Sequence, residues 1–296
     1  MVESPRVSIG MPLYNSERWL PAALESILAQ TRGDFELIIS DNASTDGSHD
    51  LCHQFASRDS RIRLIRQPSN IGATRNYRFV ADAAHAPFFK WATASDVVSP
   101  NFLAECLSVL EQRSDVALTF GKTRLFAETL DDGEPYDDDM NLEMDDAVAR
   151  FTHVVTHLKL NNVMNGVIRR SALLRTSVMP QFFASDNLVL AELALVGKIV
   201  KTPDAVFYRR MRAETATKLK SPHEVVRHLY PERRLGMLMQ SWQLYLGYTR
   251  AACRAPLDFG RRCRLLLFTG RMWWWNLPLL WADVVDAGRY ITRRHA

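Results

Sequence analysis

Short apolar runs alternate with amphipathic segments over the first 120 residues of the chain. Runs without helical spacing, such as Phe88–Trp91, predict buried strands, whereas Leu20, Leu24 and Ile27 recur at the spacing of a helix that Asn15 or Ser16 would cap. The predicted strands are 7–12, 36–40, 62–65 and 88–91, and the predicted helices are 16–30, one after residue 48, 73–84 and 102–112. This alternation with short connections is typical of a doubly wound, mostly parallel α/β sheet flanked by helices.

The pattern changes after a further strand predicted at 116–120. Residues 131–139 form an acidic loop that contains glycine and proline, and we interpret its three consecutive aspartates as solvated surface. Helices at 145–158 and 186–196 and a strand at 205–209 follow, and the chain from Pro222 onward has a helical pattern. We therefore divide the chain into a domain at 1–215, with halves at 1–120 and 121–215, and a helical extension rich in arginine and tryptophan at 216–296.

Two predicted strands lead to a carboxylate. Asp41 directly follows the strand at 36–40, and Asp96 follows the strand at 88–91 after four small or hydroxylated residues. Ligands of open α/β sheets bind beyond the carboxyl ends of the parallel strands. The two carboxylates are therefore candidates for binding the organic and the charged parts of one ligand.

Four elements in order make the chain resemble the family 2 glycosyltransferases. They are the strand that ends in Pro12-Leu13-Tyr14-Asn15, the segment 41–47 (Asp-Asn-Ala-Ser-Thr-Asp-Gly), Asn70-Ile71-Gly72 with Arg75-Asn76, and Ser95-Asp96. The resemblance covers roughly residues 7–212. It implies the GT-A fold and an inverting hexosyl- or deoxyhexosyltransferase. Such an enzyme would move a sugar from a nucleotide-diphosphate donor to a hydroxyl of a glycan or lipid-linked saccharide, in cell-surface or exopolysaccharide synthesis.

The resemblance assigns the nucleotide site to the ends of the first strands. Pro12, Tyr14 and Asn15 would line the base, and Asp41 would accept hydrogen bonds from it, since a carboxylate is an acceptor only. The element that contains Asn70, Gly72 and Arg75 would face the diphosphate. Asp41 as a turn residue and Arg75 as a solvated residue of a capped helix remain the alternatives.

Asp96 stands where the family has a metal-binding pair of aspartates. Mg²⁺ or Mn²⁺ on carboxylates would neutralise the charge of the diphosphate leaving group. The chain departs from the family here, because Ala94 and Ser95 precede Asp96. A metal bound through one carboxylate would take its other ligands from the donor phosphates and from water.

Asp186 corresponds to the catalytic base of the family, which takes the proton of the attacking acceptor hydroxyl. The alternative is a helix N-cap, since aspartate before an apolar periodic run is a favoured cap. The segment 162–170, which includes Asn165, matches a part of the family that shapes the acceptor pocket. Arg209 and Arg210, with Arg212, would lie near the diphosphate or the acceptor, and would replace metal charge with their own.

Charge is distributed unevenly along the chain. The net charge of +4 gives no argument for nucleic acid, but the part from Ser221 onward has 12 arginines, no lysine and five acidic residues. Arginine beside the tryptophans at 273–275 is typical of a helix in the interface of a bilayer. The alternative is a helix packed on the catalytic domain or on a second subunit.

Localisation and the competing function follow from the remaining features. Four cysteines without metal-type spacing and an amino terminus without a signal-peptide pattern predict a cytoplasmic protein, with a peripheral position on the inner face of the membrane as a further hypothesis. The incomplete metal motif leaves a non-catalytic GT-A module that binds a nucleotide sugar or saccharide as the alternative to an enzyme.

Overall fold

A mixed sheet flanked by helices organises the computed structural model, which describes residues 4–138, 140–211 and 239–292. In these residues the sheet has nine strands in the order β3-β2-β1-β4-β8-β6-β9-β5, with β7 beside β6. The strands are β1 Val7–Leu13, β2 Phe35–Asp41, β3 Ile62–Arg66, β4 Phe88–Trp91, β5 Val97–Val98, β6 Val116–Phe126, β7 Glu134–Tyr136, β8 Val167–Arg169 and β9 Lys198–Arg210. The helices are α1 Leu20–Leu28, α2 Ser48–Ala56, α3 Ala73–Asp82, α4 Phe102–Gln112, α5 Ala147–His157, α6 Arg170–Leu173, α7 Ser185–Val196, α8 Gln240–Arg254, α9 Phe259–Trp275 and α10 Leu277–Thr292.

Strands β1 to β4 form a parallel half-sheet. β1 pairs with β2 over its whole length, with Val7 opposite Phe35 and Leu13 opposite Asp41, and it pairs with β4 on its other side. Strands β1, β2 and β4 are buried on both faces, which is why they contain continuous apolar runs, whereas β3 at the edge of the sheet is partly exposed. Their parallel direction brings the residues that follow them to one edge of the sheet.

The second half of the sheet is mixed. β8 runs antiparallel to both β4 and β6, while β6 and β9 form a long parallel pair. Both long strands exceed their predictions of 116–120 and 205–209. The predicted α/β class with a mostly parallel sheet and a helical C-terminal extension is confirmed.

The first helix begins later than predicted. Neither Asn15 nor Ser16 caps it: α1 starts at Leu20, with Trp19 in the cap position and Pro21 in the first turn. Asn15 has a left-handed backbone (φ 44°), and the Ser16 amide donates to Ser48 Oγ at 2.8 Å. Both residues are thus used to join the β1 end to the loop after β2.

The C-terminal helices pack on the domain that precedes them. On α8, the buried Tyr248 ring lies edge-on to Phe151 of α5 at 5.7 Å between centroids. Gly247 lets α8 approach α7 closely, since a Cβ there would lie 2.6 Å from Leu188 Cδ2. Helices α8 and α9 share one apolar cluster with α5, α7, β4 and β6. Residues 216–238 and 293–296 of the predicted extension lie outside the described residues.

The described helices are short or polar relative to a membrane span. None of them combines the length and the apolar character that a helix needs to cross a bilayer.

Candidate functional site

Asp41 ends β2 and is fully buried. Its Oδ1 accepts a hydrogen bond from the Ser44 amide at 2.9 Å, so the carboxylate holds the turn that follows the strand. Its Oδ2 lies 3.1 Å from His49 Nδ1 and 3.6 Å from Arg66 Nε, yet makes no hydrogen bond with any described residue. A buried carboxylate oxygen without a donor is costly. Asp41 therefore fits both the turn and an acceptor for a ligand N–H.

The loop after β2 is fastened to the end of β1 by Asn15. Its amide donates to Ser44 Oγ at 3.0 Å, and its Oδ1 accepts from the Thr45 amide at 2.9 Å. Pro12 is half-buried beside it, and Tyr14 projects into solvent with 44% of its surface exposed. An exposed tyrosine next to the Asp41 loop is placed to stack on a planar ligand.

Asp46 belongs to the same loop and closes a second turn. It accepts hydrogen bonds from the Glu17 amide at 3.1 Å and the Ser48 amide at 3.0 Å. Burial raises the pKa of Asp46, but the hydrogen bonds from Ser48 and Glu17 outweigh it, and the pKa lies below its usual value. Asp46 thus holds the backbone of the loop.

Asn70 and Gly72 form the next wall of the site. Asn70 Oδ1 accepts from Asn42 Nδ2 and from the Gly72 amide, both at 2.9 Å. Gly72 has φ 85°, a conformation that glycine adopts without strain, and precedes α3. The buried side chain of Asn76 anchors that helix to β2. Its Oδ1 accepts a hydrogen bond from the Ser40 hydroxyl, and its Nδ2 donates to the Ser40 carbonyl.

Arg75 lies on the first turn of α3 and is half-buried. Its guanidinium makes no hydrogen bond or ion pair with the residues that the structure describes. An arginine held on a rigid helix with its donors unused is available for an anion. The place of Arg75 near a diphosphate stays a prediction.

Asp96 lies beyond the β4 end and directly before β5. Its Oδ1 accepts a hydrogen bond from the Arg210 amide of β9 at 2.8 Å, which joins the two halves of the sheet at this edge. The carboxylate is half-buried. It is thereby held in place by backbone rather than by a long flexible side chain.

The donor set at Asp96 fits a divalent cation only in part. Among the described residues no three His, Cys, Asp or Glu side chains converge on one point. Mg²⁺ is often bound through one or two carboxylates together with substrate phosphates and water. Asp96 fits that mode, in which the ligand supplies most of the oxygens.

The guanidinium of Arg210 is used in contacts within the protein. Its buried guanidinium donates to the Ser95 carbonyl at 3.1 Å and the Glu128 carbonyl at 3.0 Å, and it packs over Trp19 at 4.0 Å. These contacts use its planar fork to join the segment before Asp96 to the end of β6. Arg210 therefore positions Asp96. Arg212 lies outside the described residues.

Asp186 lies in the first turn of α7. The helix begins at Ser185, and Ala184, which has a left-handed backbone (φ 59°), stands in the cap position. Asp186 is therefore not the N-cap residue. Asn161 Nδ2 donates to Asp186 Oδ2 at 3.0 Å. Burial raises the pKa of Asp186, although the Asn161 hydrogen bond and the Arg209 charge oppose the increase.

Two consecutive asparagines connect Asp186 to the Asp96 side of the site. Arg209 Nη1 donates to Asn162 Oδ1 at 2.6 Å, while the neighbouring Asn161 holds Asp186. Arg209 precedes Arg210, whose amide binds Asp96. A carboxylate with a raised pKa is thus linked through two short segments to the candidate metal ligand.

Asn165 is held from below by a buried lysine. Lys90 of β4 donates to the carbonyls of Asn165 and Trp91, and its ammonium lies over the Phe102 ring at 4.7 Å. Burial lowers the pKa of Lys90 to about 8. The Asn165 carbonyl therefore binds Lys90, and this contact fixes the segment that also contains Asn161 and Asn162.

Sequence reasoning missed Asn161, His49 and Lys90 as site components. Asn161 immediately precedes the segment 162–170 singled out for the acceptor pocket, and its partner Asp186 is 25 residues away. His49 lies in α2, two residues after the segment 41–47, and that motif does not include it. Lys90 interrupts an otherwise apolar strand, and that interruption is the one signal in the sequence that could have revealed a buried charge.

Residues 8–139 match the family model described as glycosyl transferase family 2. This segment includes Asp41, Gly72 and Asp96, so the resemblance seen in the sequence motifs is confirmed for the part of the chain that carries them. TuaG of Bacillus subtilis, assigned by name to teichuronic acid biosynthesis as a glycosyltransferase, is 29% identical over 133 residues, 45% of this chain and 51% of TuaG. Other curated relatives are matched over about two fifths of their length.

Solved structures show the same fold. Staphylococcus aureus TarS 1–349 in complex with UDP has a TM-score of 0.64 at 14% identity, covering 88% of this chain and 69% of the other. The mannosyltransferase PcManGT of Pyrobaculum calidifontis, in complex with GDP-Man and Mn²⁺, has a TM-score of 0.54 at 16% identity, covering 96% and 87%. The chain therefore has the GT-A fold of these proteins.

Proposed function

We propose that this chain is an inverting glycosyltransferase that moves a sugar from a nucleotide-diphosphate donor to a hydroxyl of a glycan or a lipid-linked saccharide. One observation carries the proposal. Asp186, a carboxylate whose pKa burial raises, is connected through Asn161, Asn162 and Arg209 to the strand end that holds Asp96. Asp96 lies within the segment that matches glycosyl transferase family 2, and Asp186 would supply the base for a leaving group bound there.

The donor would lie along the ends of β1, β2 and β4. Asp41 Oδ2, which makes no hydrogen bond with a described residue, would accept the N–H of the base beside His49 and Arg66. The exposed Tyr14 would stack on the ring. Arg75 would face the diphosphate, since its guanidinium is not used elsewhere among the described residues. The nucleotide complexes of TarS and PcManGT support a nucleotide donor for this fold.

The transfer is a single displacement. The acceptor oxygen forms a bond to the anomeric carbon as the bond from that carbon to the diphosphate oxygen breaks, and the hydroxyl proton passes to Asp186. The nucleoside diphosphate leaves with the bonding electron pair. A divalent cation bound at Asp96 would neutralise the charge of that leaving group. Arg209, fixed by Asn162, keeps a positive charge beside Asp186 and favours its ionised form before it takes the proton.

The broader assignments remain part of this proposal. They are the division at residues 120 and 215, the transfer of a hexosyl or deoxyhexosyl group, and a place in polysaccharide synthesis, for which the assignment of TuaG is the support. A lipid-linked acceptor would bring the protein to the inner face of the cytoplasmic membrane, where the C-terminal helices are the candidate contact.

Variants at the two carboxylates test the reaction. After a thermal-shift screen of UDP-, GDP- and dTDP-sugars has named the donor, Asp186→Asn should lower kcat by about 10²- to 10⁴-fold and leave nucleotide affinity unchanged. Asp96→Asn should lower the rate and the affinity for Mn²⁺ with nucleotide. The control is Asp138→Asn, since Asp138 is exposed and pairs with Lys159. Wild-type rates in both variants would contradict the roles.

The non-catalytic alternative is separated by calorimetry. A transferase should bind the nucleotide more tightly when Mn²⁺ is present and should turn over. A scaffold module would bind nucleotide sugar or saccharide without releasing nucleoside diphosphate, at any metal concentration. Release of nucleoside diphosphate that stops in Asp186→Asn would exclude the module.

A further inference from the structure

Helices α9 and α10 carry a group of large apolar side chains that face solvent. Leu267, Trp274 and Trp281 have 70%, 74% and 68% of their surface exposed, and Trp275 and Leu279 are exposed beside them. We call these five residues the C-terminal surface. Large exposed apolar groups that cluster on a protein mark a site of interaction.

The same helices are fixed to the protein through their opposite sides. Leu265, Thr269 and Met272 of α9 and Leu280 of α10 are buried. Trp242 of α8 donates its indole N–H to the Leu280 carbonyl at 2.9 Å. The apolar residues of the C-terminal surface therefore cannot turn inward without unpacking the other face. They form the solvent-facing side of helices whose other side is already packed against the protein.

Arginines accompany this surface. Helices α8 and α9 contain six arginines and no lysine or acidic residue. On α9, Arg264, Leu267, Arg271 and Trp274 follow one another at spacings of three and four residues and are all exposed, so that they share one stripe of the helix. Arg271 lies over the Trp275 ring at 4.8 Å.

Two of the arginines have acidic partners, and these pairs are weak. Arg264 contacts Asp146 at 2.9 Å and Arg261 contacts Asp258 at 3.4 Å, with both partners of each pair accessible to solvent. Exposed ion pairs contribute little and exchange readily. The guanidinium groups can therefore turn to phosphate at small cost.

We propose that the C-terminal surface docks on an anionic lipid bilayer, with its tryptophans and leucines in the interface and Arg264 and Arg271 on lipid phosphates. Tryptophan is the residue enriched at the interfaces of membranes, and arginine binds phosphate through a planar fork. Shallow insertion of an amphipathic helix needs no spanning segment. This inference is independent of the transfer reaction, because lipid binding needs neither donor nor acceptor.

A second copy of the chain is a poorer occupant of this surface. A symmetric dimer places the same patch of each subunit against the other. Such contact would bring the arginine stripes of two α9 helices together, and like charges across an interface oppose association. An anionic bilayer instead presents charge opposite to these arginines.

The test is co-sedimentation of the full chain with vesicles, in the absence of nucleotide. Wild type should bind mixed phosphatidylcholine–phosphatidylglycerol vesicles, bind phosphatidylcholine alone at least about tenfold more weakly, and lose binding as salt rises. Trp274→Ser/Trp281→Ser and Arg264→Gln/Arg271→Gln should each weaken binding about tenfold or more. The matched controls are Leu174→Ser and Arg58→Gln, which change exposed residues elsewhere and should bind as wild type does.

Three results would overturn the proposal. They are no binding to either vesicle, equal binding by the tryptophan variant and wild type, and a dimer in sedimentation that the tryptophan variant abolishes. Thermal unfolding of each variant checks that its fold is intact. Because both substituted tryptophans are exposed, their loss should leave the unfolding temperature unchanged. Vesicle binding that persists in an inactive Asp186→Asn protein separates this inference from the proposed reaction.

Discussion

The side-chain amide of Asn161 donates a hydrogen bond to Asp186 Oδ2 at 3.0 Å, while its own Oδ1 is buried without a hydrogen-bond partner among the described residues. The hydrogen bond from Asn161 Nδ2 favours the charged form of Asp186. Arg209 acts in the same direction, and burial of the site acts against both. Burial raises the pKa of Tyr248 on α8, and Asp186 in turn helps to raise it. The protonation of the proposed base thus depends on the loop that carries Asn161, on Arg209 of β9 and on the burial of the site.

Asn161→Ala should shift the acidic limb of the kcat/KM profile toward higher pH. A base works only when deprotonated, so activity falls as pH drops through its pKa, and loss of a donor raises that pKa. A hydrogen bond to a charged group predicts a displacement of about one pH unit. The measurement is kcat/KM against pH for the variant, wild type and Asn141→Ala, a control whose side chain contacts Lys201 and Glu143 rather than Asp186. A variant that is slower with an unmoved limb would show a merely structural role.

Asp41→Asn should weaken nucleotide binding by about tenfold or more. The amide has nearly the shape of the carboxylate and can keep the Ser44 contact through its oxygen, but it places a donor where Oδ2 would accept from the base. Calorimetric titration with UDP, GDP and dTDP measures the change. Asp59→Asn is the control, since Asp59 pairs with Arg61 outside this site. Unchanged affinity for every nucleotide would mean that Asp41 only stabilises the turn after β2.

The sequence predicted β1, β2 and β4 of the parallel half-sheet well because these three strands are buried on both faces. Strands β5, β7 and β8 have two or three residues each, too few to display a period, so their existence depends on the neighbours with which they pair. The predicted start of α1 was wrong for a related reason: it too depends on contacts with residues far along the chain. Ser16 is a good capping residue, but its hydroxyl donates to the Tyr14 carbonyl and its amide donates to Ser48, far along the chain.

The candidate site divides in the same way. Asp41, Gly72 and Asp96 belong to local motifs and could be found in the sequence. The contacts of Arg210 could not, because its three backbone acceptors come from segments more than 80 residues away. Burial of an arginine fork against carbonyls is a tertiary property. Its sequence neighbours carry no signal for it.

Lys90→Met should remove a pH dependence of stability. Burial lowers the pKa of Lys90 to about 8 from 10.5, so between these values the unfolded chain binds the proton that the folded chain has lost, and wild type gains stability as pH rises. The free energy of unfolding of wild type relative to the variant should therefore grow by a few kcal/mol between pH about 7 and about 10. Urea unfolding at both pH values measures this difference. Lys122→Met, at an exposed lysine, should show none.

Gly247 and Gly270 test whether α8 belongs to the same folding unit as α7. Gly247→Val would place a Cβ 2.6 Å from Leu188 Cδ2, and Leu188 is buried two residues after Asp186. Overpacking of this kind should lower the free energy of unfolding by about 1–3 kcal/mol. Gly270→Ala, on α9 with no atom within 4 Å of the added Cβ, should instead raise it by up to about 1 kcal/mol through helix propensity. Both values come from urea unfolding followed by circular dichroism. A Gly247→Val protein as stable as wild type would mean that α8 can separate from α7, and the burial that raises the pKa of Asp186 would then not depend on the C-terminal helices.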